Sequence, residues 1–250
     1  SKVAHIHGVA VDPTDPTRLY LATHQGLYLA SPDGTAWQIS RTRDDLMGFT
    51  AHPTQPKTFY ASGHPERGGN LGFVVSEDGG VTWRQVSPGL HGPVDFHQMA
   101  ISPSDPAVIY GAHHGLQRSA DGGKTWTMVG PAPDRLIDLA VSPRDPNTLH
   151  AATETGLLVS DDGGKAWRPA TPFQRPATMV ESTANGVYAY IVGIGLLHSE
   201  GGTWARLGDI GGDQFVLHFA KAGERFYAVT HKGVLLASDD GGKTWRSFVP

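Results

Sequence analysis

Short runs of apolar residues recur along this chain, each closed by Gly, Pro, Asp or Ser. One stretch shows the unit clearly: Phe96–Ile101, Val108–Ala112, Gly115–Ser119 and Thr125–Val129, with turn residues between. Runs this short, rich in β-branched and aromatic residues and bounded by turn formers, predict strands. Four in succession predict one small antiparallel sheet, with strands A to D. Strand A usually ends in a Pro- and Asp-rich turn: VDPTDP, AHPTQP, ISPSDP, VSPRDP. Proline pre-sets φ for such a turn and Asp caps it through its side chain.

The unit repeats. All six tryptophans close one motif, S-x-D-x-G-x-T-W or a reduced copy. Ser76–Trp83, Ser119–Trp126, Ser160–Trp167 and Ser238–Trp245 are complete or nearly so. Ser31–Trp37 is shortened, and Ser199–Trp204 (SEGGTW) has also lost its Asp. The tryptophans lie 46, 43, 41, 37 and 41 residues apart. A period of about 40 residues with four strands per unit is the mark of propeller blades. The expected fold is all-β: a six-bladed β-propeller with four antiparallel strands per blade and the motif in each C–D hairpin. The expected blades are 5–41, 45–88, 95–131, 135–171, 177–208 and 213–250, in a single domain 1–250. The first strand (His5–Val11) and the last (Thr244–Val249) belong to different blades, so closure is expected by packing of blade one on blade six.

The repeated motif resembles the BNR/Asp-box family, which includes sialidases, sortilin-type receptor ectodomains and the photosystem II assembly factor of cyanobacteria and plastids. The resemblance covers essentially the whole chain and implies the propeller fold, with Asp accepting backbone N–H groups, Gly supplying positive φ and Trp packing between blades. It implies little about activity, because one fold hosts hydrolases, receptors and assembly factors. The sialidase pattern is missing: no A strand opens on the arginine that the family uses.

Composition removes several classes. There is no cysteine, so no disulfide, thiolate chemistry or Cys-based metal site. The net charge is −4 with Lys and Arg scattered, which offers no basic stripe for nucleic acid. No apolar run reaches the length of a membrane span. The chain opens inside a structured pattern, without a signal peptide, and a periplasmic or secreted, monomeric protein is expected.

The 13 histidines are the informative feature. Aligned starts of strand A read His5-Ile6-His7, Asp45-Leu46-Met47, Asp95-Phe96-His97 and Arg135-Leu136-Ile137. Aligned B–C hairpins place His24, His64, His113 and His231 at one position, Glu154 in a fifth blade, and His114 beside His113. Propeller topology brings both positions to one face, which should gather His5, His7, His24, His64, His97, His113, His114 and His231 with Met47, Asp45 and Asp95. The opposite face is expected to keep only His52. Repeat ancestry explains the hairpin histidines but not His5, His7 and His97 on a different strand.

Imidazoles with a thioether and carboxylates form a metal-ligand set. His7, Met47 and His97 at one level of the channel mouth favour copper, with Met99 one layer deeper and Asp45 and Asp95 orienting the ligands. Replacing Met47 by His5 gives a three-His site that suits zinc or iron as well. A non-sialidase glycan-active hydrolase or lyase is an alternative, with His24, His113 or His231 as base beside Glu154, or with Asp138 and Glu181 as paired carboxylates. A third class is a protein-binding or assembly scaffold, for which the long hairpin Ser62–Gly72 would be a contact element. A small molecule or a protein on the His-rich face is the partner expected besides a metal ion.

Overall fold

The computed structural model describes residues 5–249 as six four-stranded antiparallel sheets, the blades of a β-propeller, with no helix among them. The chain forms two compact units, divided in sequence between Pro131 and Ala132. In the first unit the sheets are β1–β4 (Ile6–Val11, Leu19–Thr23, Gly26–Ala30, Ala36–Gln38), β5–β8 (Asp45–Ala51, Phe59–His64, Phe73–Ser76, Arg84–Ser87) and β9–β12 (Gln98–Ile101, Ile109–Ala112, Leu116–Ser119, Thr127–Gly130). In the second they are β13–β16 (Leu136–Val141, Leu149–Thr153, Gly156–Ser160, Arg168–Pro169), β17–β20 (Ala177–Thr183, Gly186–Ile191, Gly195–Glu200, Thr203–Gly208) and β21–β24 (Val216–Ala222, Arg225–Thr230, Leu235–Ser238, Arg246–Ser247). Strand order follows the chain in every sheet, so no sheet draws on both ends of the protein. The last strand is shorter than expected, Arg246–Ser247 instead of Thr244–Val249. β16 stops at Pro169, which has no N–H to continue the ladder.

The core lies between sheets. Phe73 from the second sheet packs with Phe96, Met99, Ile109 and Trp126 from the third. Leu27 from the first packs with Leu46, Phe49 and Phe59 from the second. Fully burying such side chains is worth roughly 1.5–3 kcal/mol each. Met99, expected as a deeper ligand, is therefore a core residue, 7% exposed.

The tryptophan-closed turns join the third and fourth strands of each sheet. In the third sheet Asp121 accepts the N–H groups of Lys124 and Thr125 at 3.0 and 2.9 Å and the Thr125 hydroxyl at 2.6 Å. Those hydrogen bonds, the Thr125 hydroxyl first, hold its carboxyl down to about 2. Gly123 follows at φ 81°, and a Cβ there would sit 2.0 Å from Cε1 of Phe73 on the preceding sheet. Gly80 stands in the same relation to Leu27, at 2.1 Å. The turn thus wedges its backbone against the neighbouring blade. Trp37 departs from the expected packing: its turn is shortened and it is 47% exposed.

Candidate metal centre

One geometric device repeats at the start of the sheets. The residue just before or opening the first strand lies opposite the hairpin residue between the second and third strands. In the second sheet this pair is Asp45 and His64, direct partners in the β5–β6 register. In the fourth, Arg135 O accepts the Glu154 N–H and the two side chains form an ion pair. In the sixth, His231 stacks on Phe215 with centroids 4.0 Å apart and planes 5° from parallel. In the third, His113 Nδ1 lies 3.1 Å from Asp95 O.

Two residues further on, the ladder breaks. In β1 the register skips from Ile6 to Gly8, which places His7 at a bulge. A bulge of this kind re-aims a side chain. His7 consequently turns toward the hairpin histidine: its Nε2 lies 3.1 Å from His24 Nδ1, and the rings meet edge to face at 4.2 Å. His5 completes the group, its ring centroid 5.3 Å from that of His7 and 5.6 Å from that of His24. Asp45, from the next sheet, lies 2.7 Å from His24 Nδ1 through Oδ2 and 3.4 Å from His7 Nε2 through Oδ1.

The same crossing from hairpin to next sheet recurs one blade on. His64 Nε2 lies 3.2 Å from Asp95 Oδ2, and His97 Nε2 lies 2.6 Å from the same oxygen. The other His64 nitrogen, Nδ1, donates to Gly69 O at 2.8 Å. A carbonyl only accepts, so Nδ1 carries a proton and Nε2 is the atom turned to the carboxylate. Asp95 is 8% exposed, and its Oδ1 is buried with no hydrogen-bond partner; Asp45 Oδ1 is likewise unpartnered. Burial works to raise the Asp95 pKa, but the His97 hydrogen bond and the charges of His97, His64 and His113 outweigh it and hold it below the usual carboxylate range. The Asp95 hydrogen bond in turn raises His97, against its partial burial and with help from the charges of Asp95 and Asp45.

Ligand atoms of His5, His7 and His24 all lie within 4.8 Å of one another, and so do those of His64, Asp95 and His97. His7 and His97, expected at one level of a single site, fall into different groups of imidazole and carboxylate ligands, while Met47 pairs with Ser62 in the ladder and lies beside Gly63. The second group is assembled by the hairpin-to-next-sheet contact of His64 with Asp95, which a blade-by-blade alignment does not reveal, whereas the first lies within one blade and is closed by the β1 bulge. Asp95, expected to orient ligands, stands among them. His113 contacts the Asp95 backbone, and exposed His114 packs edge-on against His113 at 4.3 Å.

The residues weighed for hydrolysis have structural partners. His231 Nδ1 accepts the Phe215 N–H at 3.3 Å, and Glu154 is tied to Arg135. Asp138 accepts the N–H groups of Leu139 and, across to the next sheet, Val180, both at 2.9 Å. Burial pushes Asp138 up to about 7 against those bonds. Glu181 rises to about 8 through burial and the charge of Asp138, with Lys221 opposing. The other end of the blades also holds more than His52. His150 opens the second strand of the fourth sheet there, 3.2 Å from the Ser182 hydroxyl, a pairing with no signal in the sequence.

No family model matches the chain, and no curated protein does. Among solved structures it is similar to the GH74 xyloglucanase from Xanthomonas campestris (21% identity, TM-score 0.64), covering 98% of this chain and 45% of that one. YCF48 bound to D1 peptide matches at 17% identity and TM-score 0.58, over 98% of this chain and 82% of that one. A chain of the nidogen/laminin complex matches at 12% identity and TM-score 0.69, over 93% of each. The likeness is one of fold. The chain spans less than half the length of the xyloglucanase it matches. Among the described residues no helix is long and apolar enough to cross a membrane.

Proposed function

We propose that the first three blades bind divalent transition-metal ions on the face that carries the hairpin histidines, at His64–Asp95–His97 and at His5–His7–His24. The observation that carries this reading is the Asp95 carboxylate. It is buried, one oxygen is unpartnered, and the other faces Nε2 of both His64 and His97, with His64 oriented from behind by Gly69. A cation among these groups would be coordinated by the carboxylate and the two imidazoles, and a backbone carbonyl behind a ligating imidazole is the usual orienting partner. The closure required is small: ligands at about 2.0–2.1 Å from a tetrahedral ion stand about 3.3 Å apart.

The preference among metals rests first on imidazole and carboxylate. Both suit zinc, iron(II) and copper(II), and copper(II) heads the intrinsic affinity order. The test uses untagged protein, stripped with chelator and titrated with copper(II) or zinc while bound metal and melting temperature are followed. Stoichiometric uptake with a raised melting temperature, lost at the tighter site in Asp95→Asn, is expected. No uptake of either metal would overturn the reading.

A second reading is a protein-binding scaffold. It is supported by the likeness to peptide-bound YCF48 along almost the whole chain and by the exposed hairpin tip Glu66–Gly69. Failure of the metal titration would move the assignment there.

A further inference from the structure

The fifth sheet carries the reduced turn, Ser199–Trp204, and its consequence is a cleft. In the intact turns the second glycine abuts the preceding blade, as Gly123 does against Phe73, Gly80 against Leu27 and Gly242 against Leu196. The corresponding Gly202 has nothing within 4 Å of a built Cβ. Its tryptophan is re-tied as well. Trp83, Trp126, Trp167 and Trp245 donate Nε1–H to the glycine carbonyl three residues back, at 3.1 Å, whereas Trp204 donates to Ala170 O of the fourth sheet at 2.8 Å. Where the wedge is missing, a cavity of about 280 Å³ opens between the fourth and fifth sheets.

Its walls are half apolar and half polar. Val159, Val187 and Trp204 form the apolar side. Arg168 is neutralised by Asp161 at 2.6 Å, and half-buried His150 is pushed down to about 4 by desolvation, so neither adds a charge at neutral pH. The two charges left are Arg144, from the turn after β13, and Glu200, at the end of β19. Among the described residues neither side chain has an ion-pair or hydrogen-bond partner, and they do not pair with each other. A cation and an anion facing one small cavity without meeting are matched by a ligand that carries both charges.

We propose that this cleft binds a small zwitterion, an α-amino acid with an apolar side chain. Its carboxylate lies on Arg144, which offers a planar fork of donors. Its ammonium lies on Glu200, and its side chain lies against Val187 and Trp204. The volume falls just below the roughly 300–1,000 Å³ of drug-sized sites, which sets the ligand at the size of a free amino acid. The site is independent of the histidine groups, so metal binding and this proposal stand or fall separately.

Calorimetric titration of the full chain with L-leucine, 4-methylpentanoate and 3-methylbutylamine tests it. L-leucine is expected to bind, and each singly charged analogue to bind at least about ten-fold more weakly, the loss expected for one charge-assisted contact. Arg144→Gln and Glu200→Gln should each weaken leucine by a similar factor, with melting temperature reporting that the variants stay folded. Rebuilding residues 199–204 with the intact turn of Ser238–Trp245 should fill the cleft and abolish binding. No heat with leucine at about 10 mM, where a millimolar site is saturated, would overturn the proposal. So would analogues that bind as tightly as leucine, or unchanged binding in a folded rebuilt-turn protein.

Discussion

Glu181→Gln removes a carboxyl that the fold keeps protonated. In the native protein burial and the Asp138 charge push its pKa up to about 8, against 4.5 for an unperturbed glutamate. Between those values the unfolded chain releases the proton while the folded chain retains it. The folded state therefore binds more protons, and stability falls as pH rises from about 4.5 to about 8. Each unit of difference is 1.36 kcal/mol, so the upper bound is near 5 kcal/mol. Glu181 is partly exposed and lies near Lys221, so about 2–4 kcal/mol is the working range. Glutamine has no proton to lose, and the variant should be more stable than the parent at pH 8 by about that amount, with a much smaller difference at pH 5. Urea unfolding of both proteins at the two pH values measures it, and titrating groups not coupled to Glu181 cancel in the comparison, leaving Glu181 and its effect on Asp138. An unchanged difference between variant and parent from pH 5 to pH 8 refutes the reasoning.

Other outcomes follow from the same geometry. His150 has the opposite sign: its folded pKa of about 4 lies below the ordinary 6.5, so its contribution is present above pH 6.5 and is lost as pH falls toward 4. His150→Phe should flatten the acid limb of the stability curve measured by urea unfolding. Gly123→Ala forces a Cβ into Phe73 at positive φ and should cost about 2–4 kcal/mol, whereas Gly202→Ala, which meets nothing, should cost about 1 kcal/mol by thermal denaturation. Trp126→Ala should cost about 3–5 kcal/mol, because the ring is 7% exposed and its Nε1 bonds Gly123 of its own turn and Ser87 across the blade junction. Glu154→Ala breaks an exposed ion pair with Arg135 and should change stability by less than about 1 kcal/mol.

The sequence reading reached the sheets because its signals are local. The four runs of the third unit match β9–β12 to within two residues at every boundary, the first being Phe96 against Gln98, where His97 precedes the ladder. The hairpin histidines were legible for the same reason, since a hairpin position is fixed by its own strands. Their grouping was not. His24 meets Asp45, and His64 meets Asp95, only because consecutive sheets lie side by side, a relation that no alignment of repeats contains. The aligned position of His7, Met47 and His97 suggested one ring of ligands, but the bulge in β1 turns His7 toward its own hairpin. The cleft at Trp204 was present in the sequence only as an eroded motif, and its lining residues come from turns whose proximity depends on the missing wedge.

The bulge has a consequence for how such a protein changes over time. The same skipped pairing occurs at Ile137, Thr178 and Leu217, as it does at His7. A residue skipped by the register is not directly opposed on the partner strand, so its side chain is aimed differently from those of its ladder neighbours. Four of the six repeats thus offer a socket in which new chemistry can be tried by a single codon change. The histidine at the first socket is one such trial, and the half-buried positions of Ile137 and Leu217 are open ground for protein engineering, whereas Thr178 is buried and already donates its hydroxyl to Val216 O at 2.6 Å.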